Sequence, residues 1–548
     1  MLSSCLFIFC FFILERASVF MLKTFLYFFM ERTLDIDPFT PTSGYILISL
    51  FFGIHDMAPI LVSVVNDGFL GGYKSLVLFG FVFVFGISLI ALFNGSWFAA
   101  PLGPAWCSIF ALLTLVAVSA GGLVPSLTAF GGSQFHPQEQ TSQGSRFFTF
   151  IFAALNLGAL IGVAIAIIIQ AQYAYRYVLL WCAVSGLLGY LLFLAGSGLY
   201  VKRCVHSSTA LRTIRLICQC ALRFSFDKNR RSNGGNFDDE LVDDVRIFYR
   251  LVPVFLCLIP LYLGQLQVFT TFRTLGYKLL RPESFFNKTS MPPEIILVVD
   301  PITAILCSLL LDQLVFPLLS NRRLMCTHLT RLTIGAVCVA LGFFVSFALQ
   351  RVLMTQYASE LDLRFGVSIF YLVPQLVLFS VGQFLIVSSG YALAYTHAPD
   401  SIRAVSVSVF SMIYSTGSIL SIIVFACMRP WLDEAGRSVW EGSSTDHSIE
   451  SRLDVYFLLI GCMSTLSVVG LVSLRKFYEK TRLMRIDREV EKKAIRLVLD
   501  RIQSQLKEHK VQYSPVVMYQ DSLHQSTSSS FQRKSTIDSP ICDKLPFV

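Results

Sequence analysis

Twelve apolar stretches, each long enough to cross a bilayer, limit what this chain can fold into: 4–30, 44–66, 75–94, 105–129, 147–171, 177–200, 249–276, 294–319, 330–350, 367–396, 404–428 and 453–474. A membrane helix needs about 20 predominantly apolar residues, and within hydrocarbon every backbone polar group must bond inside the protein. The expectation is an all-α membrane protein of about twelve helices, six on either side of a polar stretch at 202–247. Composition agrees. The chain is 54% hydrophobic and only 14% charged, with 49 Phe among 548 residues, against about 25% charged in a soluble domain. The first stretch is broken by Glu15 and Arg16 and lacks a clear small-residue cleavage site, so it reads as a membrane helix and not as a leader.

The net charge of +9 does not call for nucleic acid, because Lys and Arg gather in one set of loops. Lys74, Arg146, Lys202, Arg230, Arg322, Arg403 and Arg475 fall at those ends, which the positive-inside tendency makes cytoplasmic, with both termini inside. The opposite loops carry two glycosylation sequons, at Asn94 and Asn287. The 14 Cys lie mostly within apolar runs without CxxC pairs, so neither a metal site nor a disulfide framework is expected. No cofactor and no enzymatic activity are expected either.

Between the halves, 201–248 reads as a cytoplasmic linker that follows an N-terminal unit at 1–200 and precedes a C-terminal unit at 249–476. It opens with an amphipathic helix, with Leu211, Ile214, Cys218 and Ala221 on the apolar face and Arg212, Arg215, Gln219 and Arg223 on the other, expected to lie along the inner leaflet. The Asn-Arg-Arg-Ser-Asn-Gly-Gly segment reads as flexible, and the acidic run from Asp238 to Asp244 as a solvated linker. A cytoplasmic helix is expected over 477–512, and a Ser- and Gln-rich disordered tail over 513–548, open to a cytoplasmic protein partner.

Polar residues inside apolar runs are the candidates for function, because a polar group deep in lipid faces a cavity or another helix. Gln383 is the single amide deep in Tyr371–Arg403. Asp67-Gly-Phe-Leu-Gly-Gly-Tyr-Lys74 joins an acid, a glycine turn and a base, suited to clamp two helix ends as a gate or to form an ordinary turn. His55 and Asp56 read as a proton site or as an interhelical contact.

That Asp67–Lys74 pattern resembles the loop between helices two and three of major facilitator transporters. Gly121–Phe135 followed by Phe147–Gly158 is similar to the paired signature of the proton-coupled oligopeptide transporter family. Tyr371–Arg403 resembles the same family's tenth helix through Pro374-Gln375, Gly382, Gly390, Ala394-Tyr395 and Ala398-Pro399, and Pro253–Gln265 echoes the seventh. The resemblance implies an all-α major facilitator fold of two six-helix bundles around a central cavity. It implies carriage of di- and tripeptides, or other small amphoteric solutes, driven by protons.

It also implies site residues and departures. Glu15 and Arg16 match the last acid and the arginine of the first-helix motif, which makes Arg16 the candidate for the substrate carboxylate and Glu15 its partner or a proton site. Asn156 matches the amide that holds the peptide amino terminus, Gln265 and Gln383 offer amides to the peptide backbone, and Phe410 stands where a pocket tryptophan is common. Several acids are missing: the tenth-helix glutamate is Gln383, and the seventh-helix acid is Gly264. Against this, the eighth-helix Asn-Pro is Asp300-Pro301. The anion for the substrate's ammonium has then moved from helix ten to helix eight, unless Asp300 only caps a proline kink. Two other functions remain open: a solute sensor or scaffold with weakened transport, and a proton-independent facilitator. The plasma membrane is the expected address, with an endolysosomal membrane as the alternative.

Overall fold

The apolar stretches form helices because a helix satisfies its backbone hydrogen bonds within a single segment. The computed structural model describes residues 2–32, 41–94, 105–134, 141–173, 176–202, 209–223, 225–282, 291–315, 327–359, 367–396, 398, 402–433 and 453–475. The first half holds α1 (Leu2–Arg32), α2 (Pro41–Val65), α3 (Gly72–Asn94), α4 (Trp106–Gly132), α5 (Thr141–Gln172) and α6 (Arg176–Ala195). The linker holds α7 (Thr209–Arg223) and α8 (Asp239–Tyr249). Then follow α9 (Val252–Leu256), α10 (Ile259–Leu266), α11 (Thr271–Lys278), α12 (Val299–Cys307), α13 (His328–Ser359), α14 (Val373–Thr396), α15 (Arg403–Asp433) and α16 (Leu453–Arg475). Among the described residues, 11 spans are long and apolar enough to cross a membrane, or 12 with one bent pair. Two isolated β-bridges are present and no strand is, again among the described residues.

The bent pair is the expected 249–276 span. It is not one rod: Asp239–Leu256 and Ile259–Arg273 meet at 48°. Pro253 and Pro260 open the two pieces α9 and α10, and a proline lacks the donor that would continue the preceding helix. The break turns Tyr262, Gln265 and Phe269 toward the centre of the protein, where they line a cavity.

Close helix contacts set the positions of α1 and α2. Gly158 and Gly162 form a Gly-x-x-x-Gly stripe on α5 pressed against α1; a Cβ on Gly162 would overlap the Ala17 carbonyl oxygen, and one on Gly158 would press on Ile13 and Arg16. Gly121 of α4 lies equally close to the His55 carbonyl of α2. Gly162→Val is expected to cost roughly 1–3 kcal/mol or more by overpacking, read as loss of the monodisperse peak in size-exclusion chromatography. Ile161→Val, at a half-exposed neighbour, should leave that peak unchanged.

The linker departs from expectation in two ways. α7 buries Thr213, Leu216 and Cys220, while Cys218 is exposed and Ile214 half-buried, so its inner face is rotated from the one read in the sequence. The reason is that α7 packs against protein: Tyr249 of α8 donates to the Ile217 carbonyl (2.8 Å), and α7 also touches α2 and α15. The Asn-Gly-Gly segment is a folded turn, with Arg231 N–H donating to Phe237 O (2.9 Å) and Gly235 N–H to Arg230 O (2.7 Å). Gly234 has φ 82°, a conformation that favours glycine. Arg230 bridges Asp227 and Asp243, which raises its pKa, and hydrogen bonds from Ser232 hold the Asp239 carboxyl below its ordinary value. The expected 477–512 helix and the 513–548 tail lie outside the described residues.

Candidate functional site

Helical spacing brings polar and aromatic side chains to one cavity. Phe20 and Lys23 come from α1, and Phe52 and Asp56, one turn apart, from α2. The broken seventh span gives Tyr262, Gln265, Leu266 and Phe269, α12 gives Asp300, and α15 gives Tyr414 and Ser418. The cavity has about 550 Å³ with the space at its mouth included. Lys23 Nζ lies 4.8 Å from the Phe52 ring centre and 5.4 Å from that of Phe20. No salt bridge engages Lys23 among the described residues. An ammonium held by ring faces, in a space also lined by carboxylates, is set to receive an anionic group.

Asp300 accepts a hydrogen bond from Ser380 of α14 (2.7 Å). This fixes one carboxylate oxygen three residues before Gln383. Asp56 accepts from or donates to His55 Nδ1 at 2.8 Å, according to the tautomer, and His55 Nε2 is buried without a partner among the described residues. Tyr262 and Tyr414 pack closely with tilted rings, 3.7 Å between centres and 32° between planes, forming an aromatic wall.

A polar seal of hydrogen bonds joins the two halves of the chain beside the cavity. Gln267 donates to Tyr45 Oη (2.9 Å), Tyr45 and Tyr456 share a 3.0 Å hydroxyl contact, and Ser421 donates to Ser49 (3.3 Å). Tyr45 also stacks on Phe425 at 3.9 Å. Along α2 and α15, Ser49 and Ser421 lie about one turn from the lining residues Phe52 and Ser418, and Tyr45 and Phe425 about two turns away.

Of the residues singled out in the sequence, Asp56, Gln265 and Asp300 line this cavity together. Arg16, Asn156, Gln383 and Phe410 are not in its lining. Arg16 is buried and held by both oxygens of Glu15 (2.6 Å each), and it also donates to the Ala120 carbonyl (3.2 Å). Asn156 is half-buried on α5. Gln383 is buried with neither amide atom partnered among the described residues. Phe410 packs behind the aromatic wall, 4.9 Å from Tyr391 and 6.4 Å from Tyr262.

Lys74 is exposed at the start of α3, and the Asp67 side chain lies outside the described residues, as does all of Asn287. Asn94 ends α3 with its amide donating to Ile90 O (2.8 Å) and Ser108 Oγ (2.9 Å), so the nitrogen that would carry a glycan is engaged in closing the helix.

Lys23 is the residue the sequence reading missed. The signal was present: a lysine within an apolar span, seven residues after Arg16 and so nearly on the same helix face. A second buried pair was also missed, between Arg273 of α11 and Glu294 of the turn before α12.

A family profile described as "POT family" matches residues 73–435. Solute carrier family 15 member 1 of Oryctolagus cuniculus is 23% identical over 377 residues, which are 61% of this chain and 50% of that protein, so the chain spans about half of that relative. Protein NRT1/PTR family 5.4 of Arabidopsis thaliana is 20% identical over 538 residues, 87% of this chain and 95% of that protein. Among solved structures, an auto-inhibited POT family peptide transporter superposes with a TM-score of 0.70 at 17% identity, covering 86% of this chain and 96% of that one. The likeness carries the all-α major facilitator fold. On the profile match across more than half its length, the chain belongs to the POT family of multi-pass membrane transporters.

Proposed function

We propose that the chain is a proton-coupled symporter of di- and tripeptides that works by alternating access. The observation that carries this reading is the cavity's charge pattern: a cation, Lys23, from the first half of the chain and a carboxylate, Asp300, from the second. A peptide is a zwitterion, and such a pair complements its two ends while aromatic walls accept varied side chains. Peptide transporter family 1 of Drosophila melanogaster, a relative at 25% identity over 357 residues, supports the peptide class. With basic loops inside, the Tyr45–Gln267–Tyr456 seal closes the outer side, and the Asp67–Lys74 loop serves as the inner gate. Arg16, Asn156, Gln383 and Phe410 act from the cavity's surroundings in this scheme, and Glu15, His55 and Asp300 are the proton-coupling candidates.

The test is labelled dialanine uptake into proteoliposomes under an inward-acid gradient. Accumulation above equilibrium that collapses with a protonophore is expected. Asp300→Asn should lower uptake by about 30-fold or more, since one buried charge contact of about 2 kcal/mol or above is removed. Binding of dialanine without counterflow would replace transport by sensing, a reading that the missing helix-seven and helix-ten acids favour. Counterflow with no gradient dependence would leave a facilitator.

A further inference from the structure

We propose that the cavity selects solutes of net charge +1 that carry one carboxylate and two cationic groups, as a dipeptide with a lysyl or arginyl side chain does. This rests on the reading of the cavity as a peptide site. The charged side chains of the lining are one cation, Lys23, and two carboxylates, Asp56 and Asp300. The nearby Glu15–Arg16 pair is internally neutral. The two lining acids stand on different helices, α2 and α12, and each has one oxygen in a side-chain hydrogen bond, to His55 and to Ser380. Neither is in a salt bridge with Lys23.

A neutral zwitterion placed here sets its carboxylate on Lys23 and its ammonium on one acid, so as the cavity closes the second acid must be filled by a proton or left without a countercharge. An uncompensated carboxylate in a water-poor site is costly. A second cationic group on the solute removes that cost. An acidic side chain instead adds a third negative charge to a lining that already has one in excess. Phe20, Phe52, Phe269 and Tyr414 complete the walls with rings, against which the methylene stem of a basic side chain packs.

The experiment uses the full chain in proteoliposomes at one fixed pH and compares Ala-Lys, Ala-Ala and Ala-Glu as competitors of labelled dialanine. Ala-Lys is expected to compete about 10-fold better than Ala-Ala, the ratio that corresponds to 1.4 kcal/mol, and Ala-Glu worse than both. In Asp56→Asn the Ala-Lys advantage over Ala-Ala should vanish. If Ala-Ala equals or exceeds Ala-Lys in the unaltered protein, the charge selection is wrong and the peptide reading stands. If none of the three peptides binds or is carried, the peptide reading falls and this inference with it.

Discussion

Replacing Lys23 by glutamine is expected to weaken dipeptide binding by about 30-fold or more without loss of folded protein. The ammonium lies against two phenylalanine rings with no salt bridge among the described residues. Its contribution therefore comes when a substrate carboxylate arrives. Removing one member of a desolvated charge pair costs about 2–5 kcal/mol, and 2 kcal/mol is about 30-fold in affinity. The amide is one bond shorter, keeps a hydrogen-bond donor and loses the charge, so folding should be unchanged in size-exclusion chromatography. Lys23→Arg retains the charge and should recover part of the affinity. Binding is best read by competition at equilibrium, which separates it from coupling. If Lys23→Gln binds as the unaltered protein does, the substrate carboxylate is held elsewhere, with Arg16 the first alternative.

The second large effect concerns stability. Arg273 and Glu294 are each about 1% exposed and form an ion pair between α11 and the turn that leads into α12. Arg273→Met would leave the Glu294 carboxylate buried without its countercharge. Breaking a buried pair from one side costs about 3–5 kcal/mol, whereas replacing both members by apolar groups of similar volume is often near neutral. The single variant should unfold at markedly lower temperature in detergent, and Arg273→Met with Glu294→Met should recover most of the loss. A double variant no better than the single one would show that Arg273 holds this region through its other contacts and not chiefly through Glu294.

Much of the fold was legible because lipid leaves few alternatives. The run read at 404–428 is a span at Val405–Met428, 453–474 is Leu453–Arg475, and 44–66 is Tyr45–Val65. Hydropathy could not show the 48° break in the seventh span, because it averages over the prolines that cause it. Nor could periodicity choose the buried face of α7, since the arginines and apolar residues of that helix leave two neighbouring stripes open and packing against α8 selects one.

The site divides in the same way. Residue types and their order alone establish a polytopic helical protein, the absence of acids from positions where the family resemblance expects them, and Asp300 and Gln265 as polar groups within apolar surroundings. Which polar groups share a cavity follows from helix packing. Arg16 and Lys23 are both cations of α1, yet Arg16 is taken up by Glu15 and the Ala120 carbonyl while Lys23 faces the cavity. Local sequence fixes residue type and helix face. Whether a buried charge already has a partner depends on what the neighbouring helices bring within about 3 Å of it.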